Sequence, residues 1–234
     1  MKVEILHLIE GAKKANGVAV IIDVFRAFST ACYVFMNGAD KIIPIGDIEL
    51  AYSLKEQNPD YVLIGERGGI IQPGFEYGNS PTLIQNVDFT DKTIVQTTSA
   101  GTQGIVNAKG ADEIISGSFV NADAIISYLQ WKQPNNVSLV AMGKAGLKIT
   151  EEDVACAEFI RDRLLGKKTE FTSIVNKLRH AESAQKFFNP DLDWAPEDDF
   201  KYCMNLSAFP YVLRVEPFMD GLQYFSKVST GENL

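Results

Sequence analysis

The chain has 234 residues, of which 46% are hydrophobic, so it is long enough to bury a core as one large domain or as two small intertwined ones. Its formal net charge of −8 would repel a phosphate backbone or an anionic membrane surface, so we expect neither nucleic acid nor membrane as a partner. The apolar run near the start contains Glu4 and His7 and is too short and too polar for an export signal or a membrane span, which favours a cytoplasmic protein.

Apolar, β-branched runs alternate with amphipathic segments along most of the chain. The runs predict strands at 18–23, 41–45, 61–64, 93–97, 113–115 and 137–142. The intervening segments predict helices at about 27–37, 48–57, 80–86, 102–109, 121–130 and 151–165. Residues 171–205 read as helical around an acidic loop, and 211–217 could add an edge strand. Because strand and helix alternate at this spacing, the sequence predicts a three-layer α/β/α fold with a mostly parallel sheet.

Two segments of the chain resemble each other. GADKIIPIGDIELA (38–51) is similar to GADEIISGSFVNADA (110–124), which predicts an internal duplication of a strand–turn–helix unit. The alternative is that two such units share Gly-Ala-Asp by accident. We expect one compact α/β domain over 1–234, or two intertwined repeats at about 18–90 and 91–165 with a C-terminal extension at 166–234.

Polar clusters follow four of the predicted strands. Open α/β sheets bind ligands beyond the carboxyl ends of their strands, so these clusters predict one functional site. The first strand is followed by Asp23 and Arg26; the third by Glu66 and Arg67; the fourth by Thr97, Thr98, Ser99, Gly101 and Thr102; the sixth by Lys144, Glu152 and Asp153.

The clusters offer two kinds of chemistry. TTSAGT (97–102) places hydroxyls and amides where a helix begins, which suits a phosphate or sulfonate, although such residues also simply cap helices. Arg26 and Arg67 could bind a second anionic group or pair with nearby acids. Asp23 ends a buried run and therefore needs a compensating arginine or a hard cation such as Mg²⁺. Asp153 either leans toward the core or forms a capping box with Thr150.

Four stretches together resemble one enzyme family. They are IIDVFRAFST (21–30), the loop that contains GERGG and GFEYGNSP (65–81), TTSAGT, and ITEEDVACAEFI (149–160). The combination resembles the 2-phosphosulfolactate phosphatase family, with a weaker match at DDFKYC (198–203). The resemblance implies a three-layer α/β fold and magnesium-dependent hydrolysis of a phosphate ester on a small sulfonated hydroxy acid. The products would be sulfolactate and phosphate, within coenzyme M biosynthesis.

Two positions depart from the family's pattern. Asn-Gly-Thr is commoner where this chain has Ser-Ala-Gly-Thr, and Asp is commoner where it has Glu76. The first departure bears on the anion contacts and therefore on the identity of the substrate.

The resemblance and the residue chemistry together give each cluster an expected role. We expect Mg²⁺ to be held by Asp23 and Glu66, with help from Glu152 or Asp153. The predicted catalytic residues are Asp23, Arg26, Glu66 and Arg67. The predicted substrate-binding residues are Asn79, Ser80, Thr97, Thr98, Ser99, Gly101, Thr102 and Lys144. The nucleophile is either a metal-activated water or Asp23 itself.

Other phosphatase classes find no support in the sequence. The two histidines, His7 and His180, lie outside the clusters, and no cysteine is followed by an arginine six residues later. Two alternatives stay open: a phosphatase for another small phosphorylated carboxylic or sulfonic acid, and a non-catalytic anion-binding homologue. A homodimer is also compatible with the apolar stretch near 208–218.

Overall fold

The computed structural model describes residues 1–230, whose strands form one nine-stranded sheet in the order β1-β7-β2-β6-β8-β9-β3-β5-β4. The strands are β1 Lys2–His7, β2 Val18–Ile22, β3 Lys41–Ile45, β4 Val62–Gly65, β5 Thr93–Thr97, β6 Glu113–Gly117, β7 Asn136–Ala141, β8 Tyr211–Pro217 and β9 Gln223–Ser229. The α-helices are α1 Leu8–Lys14, α2 Ala27–Met36, α3 Ile48–Gln57, α4 Pro81–Ile84, α5 Gly101–Asn107, α6 Ala122–Lys132, α7 Glu151–Leu164, α8 Phe171–Leu178 and α9 Glu197–Cys203. Short 3-10 helices span Phe119–Asn121, Glu182–Phe188 and Met219–Gly221.

Helices cover both faces of the sheet. Along β2, Ala19 and Ile21 pack in one hydrophobic cluster, whereas Val18, Val20 and Ile22 pack in a second cluster on the opposite face. A strand covered on both faces has no polar side to present, which explains the uninterrupted apolar run of β2. The predicted three-layer α/β/α architecture is confirmed. No helix within residues 1–230 is long and apolar enough to span a membrane.

The sheet consists of two parallel halves joined by an antiparallel hairpin. Strands β1, β7, β2 and β6 run parallel to one another, as do β3, β5 and β4. Between the halves, β8 pairs antiparallel with β6 and with β9, and β9 pairs antiparallel with β3. The pairings therefore give the two halves opposite strand directions within the sheet.

The two halves have equivalent strand orders. In one half β2 lies between β7 and β6, and in the other β5 lies between β4 and β3. The first of the two chain segments contains β2, β3 and β4, and its strands β3 and β4 flank β5 of the second segment. The second segment contains β5, β6 and β7, and its strands β6 and β7 flank β2 of the first. Two intertwined repeats would give this topology, and the duplication itself stays a prediction.

The predicted edge strand at 211–217 is not at an edge. It forms β8 in the middle of the sheet, and its first three residues, Tyr211, Val212 and Leu213, are buried. Strands β1 and β9 were not predicted. In β9 only Phe225 is fully buried and the other residues are partly exposed or exposed, so the sequence lacks the apolar run that marks the other strands.

Twist brings the carboxyl ends of the two halves together. Five strand-to-strand steps separate β2 from β5. A rotation of about 20–25° per step accumulates to roughly 100–125°, so strands with opposite directions in the sheet end up crossing steeply. The amide of Gly101, after β5, consequently lies 2.8 Å from Oδ2 of Asp23, after β2.

Candidate active site

A cavity of about 530 Å³ opens where these carboxyl ends meet. Its walls come from the loops after β2, β4, β5 and β7 and from residues 182–194. Eight of the predicted site residues line it: Asp23, Arg26, Glu66, Asn79, Ser99, Lys144, Glu152 and Asp153. The other six predicted residues do not line it: Arg67, Ser80, Thr97, Thr98, Gly101 and Thr102.

Backbone amides fix the Asp23 carboxylate at the end of β2. Oδ1 accepts a hydrogen bond from the amide of Ala27, at the start of α2, at 3.2 Å. Oδ2 accepts one from Gly101, at the start of α5, at 2.8 Å. Burial, together with the nearby charge of Glu66, raises the pKa of Asp23 to about 7. The carboxylate is thus rigidly placed but short of positive charge.

Asp153 is held in the same manner, by the loops after β2 and β7. Its Oδ1 accepts from the amide of Val24 at 2.8 Å, and its Oδ2 accepts from the amide of Gly143 at 2.7 Å. The predicted capping box with Thr150 is therefore wrong, because Thr150 makes no side-chain cap and the carboxylate joins two other loops instead. Burial and the charges of Glu152 and Asp23 raise the pKa of Asp153 well above its usual range.

Glu66 reaches across to the loop after β5. Its Oε1 accepts from the amide of Ser99 at 2.7 Å, and its Oε2 accepts from the Ser99 hydroxyl at 3.1 Å. The amide of Gly69 also donates to Oε2. Glu152 in α7 accepts a hydrogen bond from the hydroxyl of Ser183.

The helix start at TTSAGT binds carboxylates rather than presenting a free anion cradle. The amides of Ser99 and Gly101 donate to Glu66 and Asp23. The amide of Thr98 donates to the Thr102 hydroxyl at 3.0 Å, and the amide of Thr102 donates to the Thr98 hydroxyl at 3.2 Å. The expectation of free amides for a phosphate is therefore wrong at these four positions. The acids of this protein already use those donors.

The two predicted arginines lie in different surroundings. Arg67 donates to the Thr97 hydroxyl at 2.7 Å and to the Gly46 carbonyl at 3.2 Å, and it does not line the cavity. Arg26 is buried, pairs with the fully buried Asp199, and donates to the carbonyl of Trp194 at 2.7 Å. Arg26 thus pairs with an acid, whereas Arg67 donates to carbonyls and a hydroxyl and forms no ion pair within residues 1–230.

Asp199 ties the loop after β4 to the C-terminal segment. Besides Arg26, it accepts from the Ser80 hydroxyl at 2.8 Å and from the amide of Thr82 at 3.0 Å. Ser80 also caps α4, because its hydroxyl accepts from the amide of Leu83, with Pro81 at the first helical position. Asn79, next in the loop, lines the cavity, and its Oδ1 accepts from Gln96 at 3.3 Å.

The sequence reading missed the wall formed by residues 182–194. Lys186 and Ser183 lie on the 3-10 helix Glu182–Phe188, and Trp194 follows in the acidic loop. A 3-10 helix has neither the 3.6-residue nor the two-residue period on which sequence patterns depend, so nothing in the pattern singled out Lys186. Burial and the charge of Arg26 lower the pKa of Lys186.

Comparison with known proteins decides the family. Residues 4–217 match the family model described as 2-phosphosulpholactate phosphatase. The chain belongs to this family. It is 30% identical over 200 residues to a Bacillus subtilis protein named "Probable 2-phosphosulfolactate phosphatase", covering 84% of this chain and 86% of that one. Proteins with the same printed name from Thermotoga petrophila and Carboxydothermus hydrogenoformans are 39% and 38% identical, covering 85% and 72% of this chain and 93% and 69% of theirs.

The carboxylates of this family member suit a hard cation. Among residues 1–230, no three His, Cys, Asp or Glu side chains come together as a metal-binding group. Mg²⁺, however, usually takes only one or two protein carboxylates, with waters and substrate phosphate completing its shell. Asp23 and Glu66 line one cavity, and the charge of Glu66 raises the pKa of Asp23. A cation between them would relieve that repulsion, so these two residues fit Mg²⁺.

Proposed function

We propose that this protein is a magnesium-dependent phosphatase that hydrolyses 2-phosphosulfolactate to sulfolactate and phosphate, as a step in coenzyme M biosynthesis. Membership of the family supports the reaction class. The observation that carries the proposal is the pair of acids Asp23 and Glu66, which amides and a hydroxyl hold at one cavity formed by both halves of the sheet.

Asp23 and Glu66 would hold the magnesium ion, with Glu152 and Asp153 adding negative charge in the same cavity. Bound there, Mg²⁺ would supply Lewis-acid stabilisation of the charge that develops on the phosphoryl oxygens. The protein contributes rigid placement, because Asp23 accepts two amide hydrogen bonds and Glu66 accepts bonds from Ser99. Phosphoryl transfer depends mostly on such positioning and electrostatics.

The remaining residues of the cavity bind and orient the substrate. Asn79 presents its carboxamide beside the acids, and Lys144 lies on the exposed side of the opening. Arg26 adds positive charge from its fixed position against Asp199. Either water or Asp23 is the nucleophile; attack by Asp23 would leave an aspartyl phosphate, which acid quenching of a single turnover with labelled substrate would trap.

The direct test is phosphate release from synthetic 2-phosphosulfolactate, with Mg²⁺ and with excess EDTA. Phospholactate, which lacks the sulfonate, is the matched substrate. Turnover that needs Mg²⁺ and prefers the sulfonated ester is the expected result. Release from neither ester would contradict the proposal, and equal release from both would contradict the substrate assignment while keeping the reaction.

A further inference from the structure

The cavity holds many more acids than free cations. Six carboxylates line it: Asp23, Glu66, Glu151, Glu152, Asp153 and Glu182. Four cationic side chains line it: Arg26, Lys144, Lys148 and Lys186. A substrate that carries several negative charges must find positive charge among these four or on a bound cation, because the amides of Ser99 and Gly101 already donate to carboxylates.

Two of the four cations are committed to acids of the protein. Arg26 pairs with the buried Asp199, and Lys148 forms a 2.8 Å ion pair with Glu182. The ion pair of Lys148 is exposed to solvent, so it contributes little to a fixed site. Lys144 is also exposed, and a mobile lysine there gives little orientation to a substrate.

Lys186 differs from these three residues. It is only partly exposed, and within residues 1–230 it forms no ion pair. Its Nζ donates to the carbonyl of Phe25 at 3.3 Å and lies 5.0 Å from the centre of the Phe187 ring. An ammonium has three N–H donors, so one carbonyl leaves two of them without an acceptor among residues 1–230. The aromatic ring and the carbonyl fix where those donors are.

The position of Lys186 is next to the acids that we assign to the chemistry. The charges of Glu152 and Asp23 both act on its ammonium, and all three residues line the same cavity. Phe25, the acceptor, stands two residues after Asp23, and its ring packs edge-on against Phe187 at 5.1 Å. The contact therefore links the 3-10 helix Glu182–Phe188 directly to the loop after β2.

We propose that Lys186 binds a tetrahedral oxyanion of the substrate, donating hydrogen bonds from its ammonium to phosphoryl or sulfonate oxygens. This inference rests on the proposed function for its substrate but not for its binding chemistry. Lys186 is placed in a cavity with several carboxylates, and within residues 1–230 it forms an ion pair with none of them.

The test measures binding without turnover. Inorganic phosphate and methanesulfonate are titrated, with Mg²⁺ present, into the wild type, Lys186→Met and Lys186→Arg by calorimetry. We expect Lys186→Met to weaken binding of at least one of the two anions about tenfold or more, because a charge-assisted contact is lost. Lys186→Arg should recover part of the affinity. A loss for phosphate alone assigns the phosphoryl group, and a loss for methanesulfonate alone assigns the sulfonate.

Lys201→Met is the matched control, since Lys201 is an exposed lysine that pairs with Asp198 at 2.6 Å on the outer surface. It should bind both anions as the wild type does. Melting temperatures check that each variant is folded. Unchanged binding of both anions by folded Lys186→Met overturns the inference, as does the absence of binding by the wild type. Failure of the proposed function is a separate result, namely no phosphate release by a wild type that still binds the anions through Lys186.

Discussion

The two parallel halves of the sheet have equivalent strand orders but end in different chemistry. The half that contains β2 and β7 leads into Asp23 and into Asp153, two buried carboxylates. The half that contains β4 and β5 leads into Glu66, a third carboxylate that is only partly buried, and into the amides of Ser99 and Gly101. The amide of Gly101 in one half donates a hydrogen bond to Asp23 in the other, so neither half alone holds a complete site. The difference shows that the helix start at TTSAGT positions acids of its own protein.

The largest loss of activity is expected from neutralising Asp23, the carboxylate that accepts hydrogen bonds from amides of both halves. Asp23→Asn keeps the shape of the side chain but removes its charge, so a cation ligand or a nucleophile is lost. We expect kcat for phosphate release to fall about 1,000-fold or more, in line with the loss of a group that acts in the transition state.

Asp60→Asn provides the control for that experiment, because Asp60 is an exposed aspartate that stands before β4, at the opposite end of that strand from Glu66. Its kcat should equal that of the wild type. An Asp23→Asn protein that is folded by circular dichroism and fully active would remove Asp23 from the mechanism.

The second prediction concerns the C-terminal segment that closes the cavity against both halves. Asp199→Ala leaves the buried guanidinium of Arg26 without its carboxylate and leaves Ser80 and Thr82 without an acceptor. Breaking a buried pair in this way costs about 3–5 kcal/mol. The free energy of unfolding, measured in urea, should fall by that amount, whereas Asp198→Ala, which removes an exposed ion pair with Lys201, should change it by less than about 1 kcal/mol.

Sequence patterns predicted six of the seven strands of the two halves, because those six are largely buried on two faces and read as apolar runs, whereas β1 is partly exposed along its length and was missed. The same logic placed Asp23, Glu66 and Asp153 at one end, since the carboxyl ends of parallel strands gather ligands. Sequence patterns did not predict which backbone amides donate hydrogen bonds to these three carboxylates. Which side chain an amide will bond depends on how the sheet twists over the five steps from β2 to β5, and no local pattern encodes the contact of Gly101 with Asp23. Lys186 was not predicted as a site residue for a different reason. It lies on a 3-10 helix, which has neither the helical nor the strand period that sequence patterns detect.

The third prediction concerns the protonation of Asp23, the carboxylate of one half that the charge of Glu66 in the other half opposes. Asp23 has a pKa of about 7 in the folded protein, against an ordinary value of 3.8. Below pH 4 the folded and unfolded chains both hold the proton. As the pH rises from 4 to 7, the unfolded chain loses the proton while the folded chain keeps it, so the free energy of unfolding falls by at most about 4 kcal/mol and then levels off above pH 7.

Melting temperatures recorded in EDTA between pH 4.5 and 8 test this sign. The wild type should lose more stability over that range than Asp23→Asn, which has no proton to lose at this position. Mg²⁺ added at pH 8 should raise the melting temperature of the wild type, because a cation bound to the folded state compensates the carboxylate. Parallel curves for the two proteins would show that Asp23 is ionised throughout.

The smallest expected effect tests the contact between the halves most directly. A Cβ on Gly101 would lie 2.9 Å from Oδ2 of Asp23 and 3.0 Å from Cζ of Phe28, so Gly101→Ala must displace the carboxylate or the ring. Overpacking of this kind costs about 1–3 kcal/mol of stability, and misplacement of a reacting group by about 1 Å costs up to 100-fold in rate. We expect kcat to fall about 10- to 100-fold while the chain remains folded.

At Gly78 an added Cβ would meet only Ile71 at 3.7 Å, an ordinary contact, so Gly78→Ala should keep the wild-type stability. If Gly101→Ala turns over substrate at the wild-type rate, the bond between the two halves does not position Asp23 for the reaction.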